Sequence, residues 1–319
     1  MTAPSPKNLS GTTSTIVPKV DRRDTALDGL SINCPAGIFI RIAAEVASAK
    51  QWGKINIMSI GRQFGGLAAC MLGVFIVLWG DFATPWENVP LAPPFRTLLA
   101  YFAGAVLIVA GAGMFWRRTA RPASLVLAAV CAGFTLPWVL AVVHTPLVFD
   151  SWGNVAEESS VAAGFLALFA SLAPIKTDSM ARLALGARTW FGVCSLSFGV
   201  VHFVSLTGCA AFVPKWMPLG GQFWAVSTGF AHLAAAVAIL SGIWALLATR
   251  LAAVMYLGFG ILGWGTFFLA KPDHFNWGGM IVTFTLAAGV WMVGDSIAAF
   301  PPKDGELFLP RRHKAVIDV

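Results

Sequence analysis

Charge is the scarcest property of this chain: Asp, Glu, Lys and Arg make up 12% of its residues, against about 25% in soluble globular domains. That shortage excludes an ordinary water-soluble fold. Tyrosine is almost missing, with 2 residues, and there are 5 histidines, so side chains suited to acid–base chemistry are few. The cysteines Cys34, Cys70, Cys131, Cys194 and Cys209 show no CxxC or metal-type spacing, which disfavours a dithiol enzyme and assigns no metal site. Cys70, Cys131 and Cys194 lie inside apolar runs and read as small packing residues; only Cys209, near the outer end of one run, faces an oxidising compartment, without an evident partner. No nucleophile–base arrangement, phosphate-cradling glycine loop or carboxylate pair stands where a fold would use it. No apolar stretch follows the early charges, so no signal peptide is expected.

What fills the chain is apolar: 57% of residues are hydrophobic and the mean hydropathy is +0.74. Runs near the roughly 20 residues that cross a bilayer core fall at 64–80, 97–116, 122–143, 159–175, 189–208, 223–247, 251–270 and 278–297. Backbone groups in lipid must be satisfied within the segment, and these runs are too long and continuous for barrel strands. The expectation is an all-α membrane protein with eight transmembrane helices. The runs also repeat. Phe75, Pro90, Phe102, Ala103, Trp116 and Ala120 recur as Phe203, Pro218, Phe230, Ala231, Trp244 and Ala248, each 128 residues on, which reads as a tandem duplication of a four-helix unit.

Basic residues fix the expected orientation, because Lys and Arg in short loops stay on the cytoplasmic side. Of 22 such residues, only Arg96, Lys215 and Lys271 lie in the alternate loops, and those loops hold Asp81, Glu87, Asp150, Glu157, Glu158 and Asp273. Both termini are thus expected in the cytoplasm. The net charge of +7 follows from this topology and calls for no nucleic-acid partner. The expected organisation is a cytoplasmic N-terminal region over 1–60, a first membrane unit over 61–176, a second over 188–298 and a cytoplasmic tail over 299–319. Residues 1–35 lack apolar periodicity and read as disordered; 36–60 carry the pattern of an interfacial helix or a loose lead-in. The Pro-rich tail ends in a basic cluster suited to anionic lipid heads.

By this reading the ionisable side chains at depth are His202 and His232, on consecutive antiparallel helices and at similar depth. Intramembrane ionisable groups are costly and tend to face a cavity or a partner. The first unit has Val74 and Gly104 at those places. Four readings are open: hydrogen bonds to a carbonyl or to Ser205, Ser227 or Thr228 that join helices, a small-molecule site such as one for a quinone head, bis-imidazole haem ligation, and a proton relay. No other motif supports haem. His202, His232, Ser205 and Thr228 are the candidate ligand-binding set. Two outer loops are also alike, His144-Thr-Pro-Leu-Val-Phe-Asp-Ser-Trp-Gly and Lys271-Pro-Asp-His-Phe-Asn-Trp-Gly. They read either as Pro-set turns with interfacial Trp anchors or, with Asp81 and Trp216, as one outer vestibule of Asp81, His144, Asp150, Trp152, Trp216, Asp273, His274 and Trp277. Gly258-x-Gly260 and Gly263-Trp-Gly265 read as packing positions or kinks.

The second unit, GVVHFVSLTGCAAFVPKWMP followed by GFAHLAAAVAILSGIWALLATRLAAVMYL, resembles the DoxX-like integral membrane proteins over roughly 188–297. The resemblance rests on the outer turn Val213-Pro214-Lys215-Trp216-Met217-Pro218, the small-residue opening of the next helix and Arg250 in a cytoplasmic turn. The first unit matches through Asn88-Val89-Pro90 and Arg121 and lacks the Trp in that turn and both histidines. The resemblance implies a bacterial inner-membrane protein, a redox-associated and quinone-interacting subunit beside another membrane or redox protein. The alternatives are a non-catalytic scaffold or assembly factor and a small-solute transporter, the last disfavoured because the expected spans lack coupling carboxylates.

Overall fold

The computed structural model describes residues 57–301, with side chains from Ile60 onward; the expectations for 1–56 and for the tail beyond Pro301 lie outside the described residues. Every apolar run falls on helix. In chain order the helices are α1 (Ile57–Trp79), α2 (Phe95–Gly113), α3 (Ala120–His144), α4 (Phe149–Ser171), α5 (Asp178–Val204), α6 (Leu206–Ala211), α7 (Gly220–Ser241), α8 (Ala245–Gly258), a π-helical segment (Phe259–Trp264), α9 (Gly265–Ala270) and α10 (His274–Ala299). No strand occurs among the described residues. Seven helical stretches are long and apolar enough to cross a membrane, α8 through α9 counting as one. This is the architecture of a multi-pass membrane protein.

The stretch outside the seven is α4. It has 23 residues, long enough to span, but Asp150, Glu157 and Glu158 lower its apolar content. The run at 159–175 predicted a start after the two glutamates; α4 begins at Phe149 and takes both inside. Local chemistry explains several ends. Thr177 caps α5 by accepting from the Met180 N–H at 3.3 Å, and Asp273 caps α10 by accepting from the Asn276 N–H at 2.9 Å; each satisfies an orphan donor of the first turn. Gly242 closes α7 with φ 84°, a backbone that glycine adopts without a Cβ clash. Pro137 sits inside α3, where its missing hydrogen bond is tolerated within a bundle.

Two helices form the centre. Of the apolar stretch of α10, 83% is enclosed by protein, against 28% for α2 and α3, which leaves the latter with broad apolar faces suited to lipid. α10 packs on α1, α4 and α8, and α4 packs on α3, α5 and α10. At the α4–α10 crossing a Cβ on Gly164 would stand 2.6 Å from both Cα and O of Gly289, so the two backbones touch. Small residues permit such approach between membrane helices. Other closely packed pairs are α1 with α2, α5 with α7, α2 with α3 and α7 with α8.

Candidate functional site

α5 and α7 run side by side and carry the two intramembrane histidines to one place. The rings of His202 and His232 lie 5.1 Å apart between centroids, tilted by 44°. His202 is half-buried and its Nδ1 is 2.8 Å from the Phe198 carbonyl oxygen. His232 is 2% exposed, with Nδ1 3.5 Å from the Tyr256 hydroxyl of α8. Phe198 and Phe259 close the sides, at 5.7 Å from His232 and 6.5 Å from His202. Each histidine therefore packs on aromatic rings from a different helix, and both line a cavity of about 430 Å³.

The cavity walls come from α5, α6, the α6–α7 connection, α7, α8, the π-helical segment and α10, with one residue from α4. Phe212, Trp224 and Trp264 supply flat apolar surface, and Thr228, Thr283 and Cys209 add small polar groups. A mostly aromatic concavity with a few convergent polar groups is the usual form of a small-molecule site. The π-helical segment matters here. Its extra residue per turn swings Phe259, Leu262, Gly263 and Trp264 onto the cavity wall, and such segments recur at functional sites. Gly260 within it has no room for a Cβ because the Phe284 ring lies against it. The glycines expected as packing positions or kinks thus mark this distortion.

The residue that sequence reasoning missed is Glu157. It lines the same cavity as both histidines, near enough to Tyr256 for electrostatic interaction, and its carboxyl makes no hydrogen bond among the described residues. Glu157, expected in an outer loop, thus joins His202 and His232 as an ionisable group of this cavity. Two adjacent glutamates break an apolar run and so read as loop; they are accommodated because α4 is surrounded by α3, α5 and α10 rather than by lipid. A signal was available in the apolar residues flanking them, since Ala156, Ala163 and Ala167 keep helical spacing. Other polar groups also lie inside. Glu158 is 6% exposed and interacts electrostatically with Glu87, so the first unit is not the wholly apolar counterpart that Val74 and Gly104 suggest. Asp295, fully buried on α10, binds Arg250 of α8, which also donates to the Trp291 carbonyl at 2.8 Å.

The other expected site residues divide. Thr228 lines the cavity, its hydroxyl donating to the Trp224 carbonyl at 2.7 Å. Ser205 stands at the α5–α6 junction and is not part of the lining. The outer set forms separate groups instead of one vestibule. Asp81 pairs with Arg96 at 2.5 Å; Asp273 caps α10 and pairs with Lys271 at 2.8 Å, and this hydrogen bond and charge lower the Asp273 carboxyl and raise the Lys271 ammonium. His274 packs on Phe75 and Trp79 at 5.0 and 5.1 Å, and Trp277 lies against Phe75 and Phe268. Trp152 donates to the Pro146 carbonyl at 3.0 Å, closing its own turn. His144, Asp150 and Trp216 are exposed.

In the α1–α2 connection, Glu87 is 1% exposed and accepts the Ala83 N–H at 2.9 Å. Burial pushes its carboxyl up to about 7, an effect opposed by that hydrogen bond and reinforced by the charge of Asp81. No protein-family model matches the chain, and no curated protein or solved structure is measurably similar to it.

Proposed function

We propose that this protein is a DoxX-like, redox-associated subunit of a bacterial inner membrane, and that its cavity receives the head group of a quinone-type lipid. The observation that carries this reading is that His202, His232, Tyr256 and Glu157 line one otherwise apolar, aromatic-rich cavity, the two imidazoles 5.1 Å apart. A quinone head is a planar ring with two opposed oxygens. Flat aromatic walls receive its faces, and imidazole, phenol and carboxyl groups supply hydrogen-bond partners for its oxygens. A carboxyl in the same cavity as two imidazoles is also the equipment for holding a proton near such a head.

In this proposal the molecule has eight spans with both termini in the cytoplasm, and it is a duplicated four-helix unit. Support comes from the pairing of helices: α1 with α2 as α5 with α7, α3 with α4 as α8 and its continuation with α10, α4 with α5 as α10 with α1. A two-fold relation would also place equivalent residues opposite one another where the halves meet. Trp152-Gly153 and Trp277-Gly278 stand at the same separation as Gly164 and Gly289, and it is Gly164 and Gly289 that touch at the crossing.

The test is direct binding. The purified protein should take up a water-soluble short-chain quinone pair, followed by calorimetry in detergent, and His232→Ala should weaken binding by about tenfold or more while the thermal unfolding midpoint stays within a few degrees. Undiminished binding in that variant would move the site elsewhere. A second reading gains from Glu157: proton-coupled transport of a small amphipathic solute, which the expected lack of intramembrane carboxylates had disfavoured. Solute-dependent proton flux in vesicles, lost in Glu157→Gln, would favour transport over the redox role.

A further inference from the structure

Most side-chain polar hydrogens of the cavity lining are committed to the protein itself. A carbonyl oxygen only accepts, so the 2.8 Å contact of His202 Nδ1 with the Phe198 carbonyl requires the proton on Nδ1, and in the neutral ring Nε2 is then a lone-pair acceptor. The Thr228 hydroxyl donates to the Trp224 carbonyl at 2.7 Å and the Thr283 hydroxyl to the Gly279 carbonyl at 2.7 Å. The Trp224 indole N–H is used by the Pro218 carbonyl at 2.8 Å. The Cys209 thiol points to the Val201 carbonyl at 3.9 Å. Glu157 adds carboxyl oxygens without a partner among the described residues.

The donors left are few. His232 Nδ1 and the Tyr256 hydroxyl share one contact of 3.5 Å, which frees one hydrogen between them, and the Trp264 indole N–H of the same lining is the other donor. The unmatched acceptors, His202 Nε2 and the two Glu157 oxygens, outnumber these two donors. A quinone head brings two carbonyl oxygens that only accept, and would leave His202 Nε2 and Glu157 unmatched. Protonation of Glu157 would serve one carbonyl and still leave the imidazole nitrogen unmatched. A reduced head brings two hydroxyl groups, each with a hydrogen to give and lone pairs to receive. One hydroxyl answers His202 or Glu157 and also accepts from the His232–Tyr256 pair.

We infer that the cavity is a site for the reduced, dihydroxy form of the head group, a quinol, in preference to the oxidised quinone. The inference rests on the quinone-head reading of the cavity and specifies which redox form it selects. A buried polar group left without a partner is a strong source of discrimination. One such mismatch gives about a tenfold preference, equivalent to about 1.4 kcal/mol.

The experiment compares duroquinol, duroquinone and the dimethyl ether of duroquinol by anaerobic calorimetry with the full chain in detergent. The expected order is duroquinol tighter than duroquinone by about tenfold or more, with the ether, which has the shape but no hydroxyl hydrogen, no tighter than the quinone. Glu157→Gln supplies amide hydrogens at the same place, so it should narrow the preference by raising quinone affinity and lowering that of the quinol. Equal or tighter binding of duroquinone would overturn the inference and leave the quinone-head reading standing. Binding of none of the three would overturn both. If Glu157→Gln does not fold, the order among the three ligands on the unaltered chain still decides.

Discussion

At the scale of single residues, the histidines were legible and the acids were not, for the same reason. A lone His within an apolar run leaves the run intact, so its depth can be counted from either end; His202 and His232 meet as their counted depths require. A Glu-Glu pair ends the run. Glu87 was hidden differently: it sits in a connection, where a charge is normally solvated, yet the chain folds over it until 1% is exposed. It supplies a pH prediction. Its carboxyl lies at about 7 in the fold against 4.5 ordinarily, with burial the main cause, and the acidic neighbours facing it are Asp81 and Glu158. Below about pH 4.5 both folded and unfolded chains hold the proton and Glu87 contributes no pH dependence. Between about 4.5 and 7 the unfolded chain releases a proton that the folded one keeps, so stability falls as pH rises, by at most about 3 kcal/mol, and it levels off above 7. Glu87→Gln should therefore raise the thermal midpoint at pH 8 and flatten its decline between pH 5 and 8. An unchanged slope in that variant would show that Glu87 is solvated in the fold.

At the scale of elements, helix existence was legible everywhere and helix boundaries were not. α1 starts before the apolar run at 64–80 and α4 before the run at 159–175, because helices extend past their apolar stretch wherever protein rather than lipid surrounds them. The π-helical segment had only its glycines as a sign, since glycine spacing alone does not distinguish a close approach from a widened turn. The α4–α10 crossing was equally silent in sequence. It gives an asymmetric prediction. A Cβ at Gly164 would press on backbone atoms of Gly289 at 2.6 Å, whereas one at Gly289 would meet Val161 Cα at 3.4 Å, an ordinary contact. Gly164→Ala should thus cost about 1–3 kcal/mol through forced separation of the helices, and Gly289→Ala much less. Thermal unfolding in detergent reads the difference. Equal losses in the two variants would mean that the crossing is looser than 2.6 Å implies.

At the scale of the whole molecule, the question is whether α4 crosses the membrane. Its composition argues for an interior element of a soluble kind, but its surroundings argue for a span: α3, α5 and α10 enclose it, and the first two are apolar enough to cross on their own. If α3 and α5 both cross, the chain must return between them, and the connections at 145–148 and 172–177 leave no room to do so except along α4, whose 23 residues cover about 34 Å at 1.5 Å per residue, more than a hydrocarbon core of about 30 Å. The glutamates are then carried across facing protein, as intramembrane carboxyls are. The prediction is that Leu147, 97% exposed before α4, and Ile175, 73% exposed after it, lie on opposite sides. Single cysteines placed at these two positions in a background freed of the native cysteines should differ in labelling by a membrane-impermeant maleimide in intact cells, Leu147→Cys reacting and Ile175→Cys reacting only after permeabilisation. Reaction of both from outside, or of neither, would put the two connections on one side, reduce the spans to seven and break the two-fold relation, because α10 would then have no spanning counterpart.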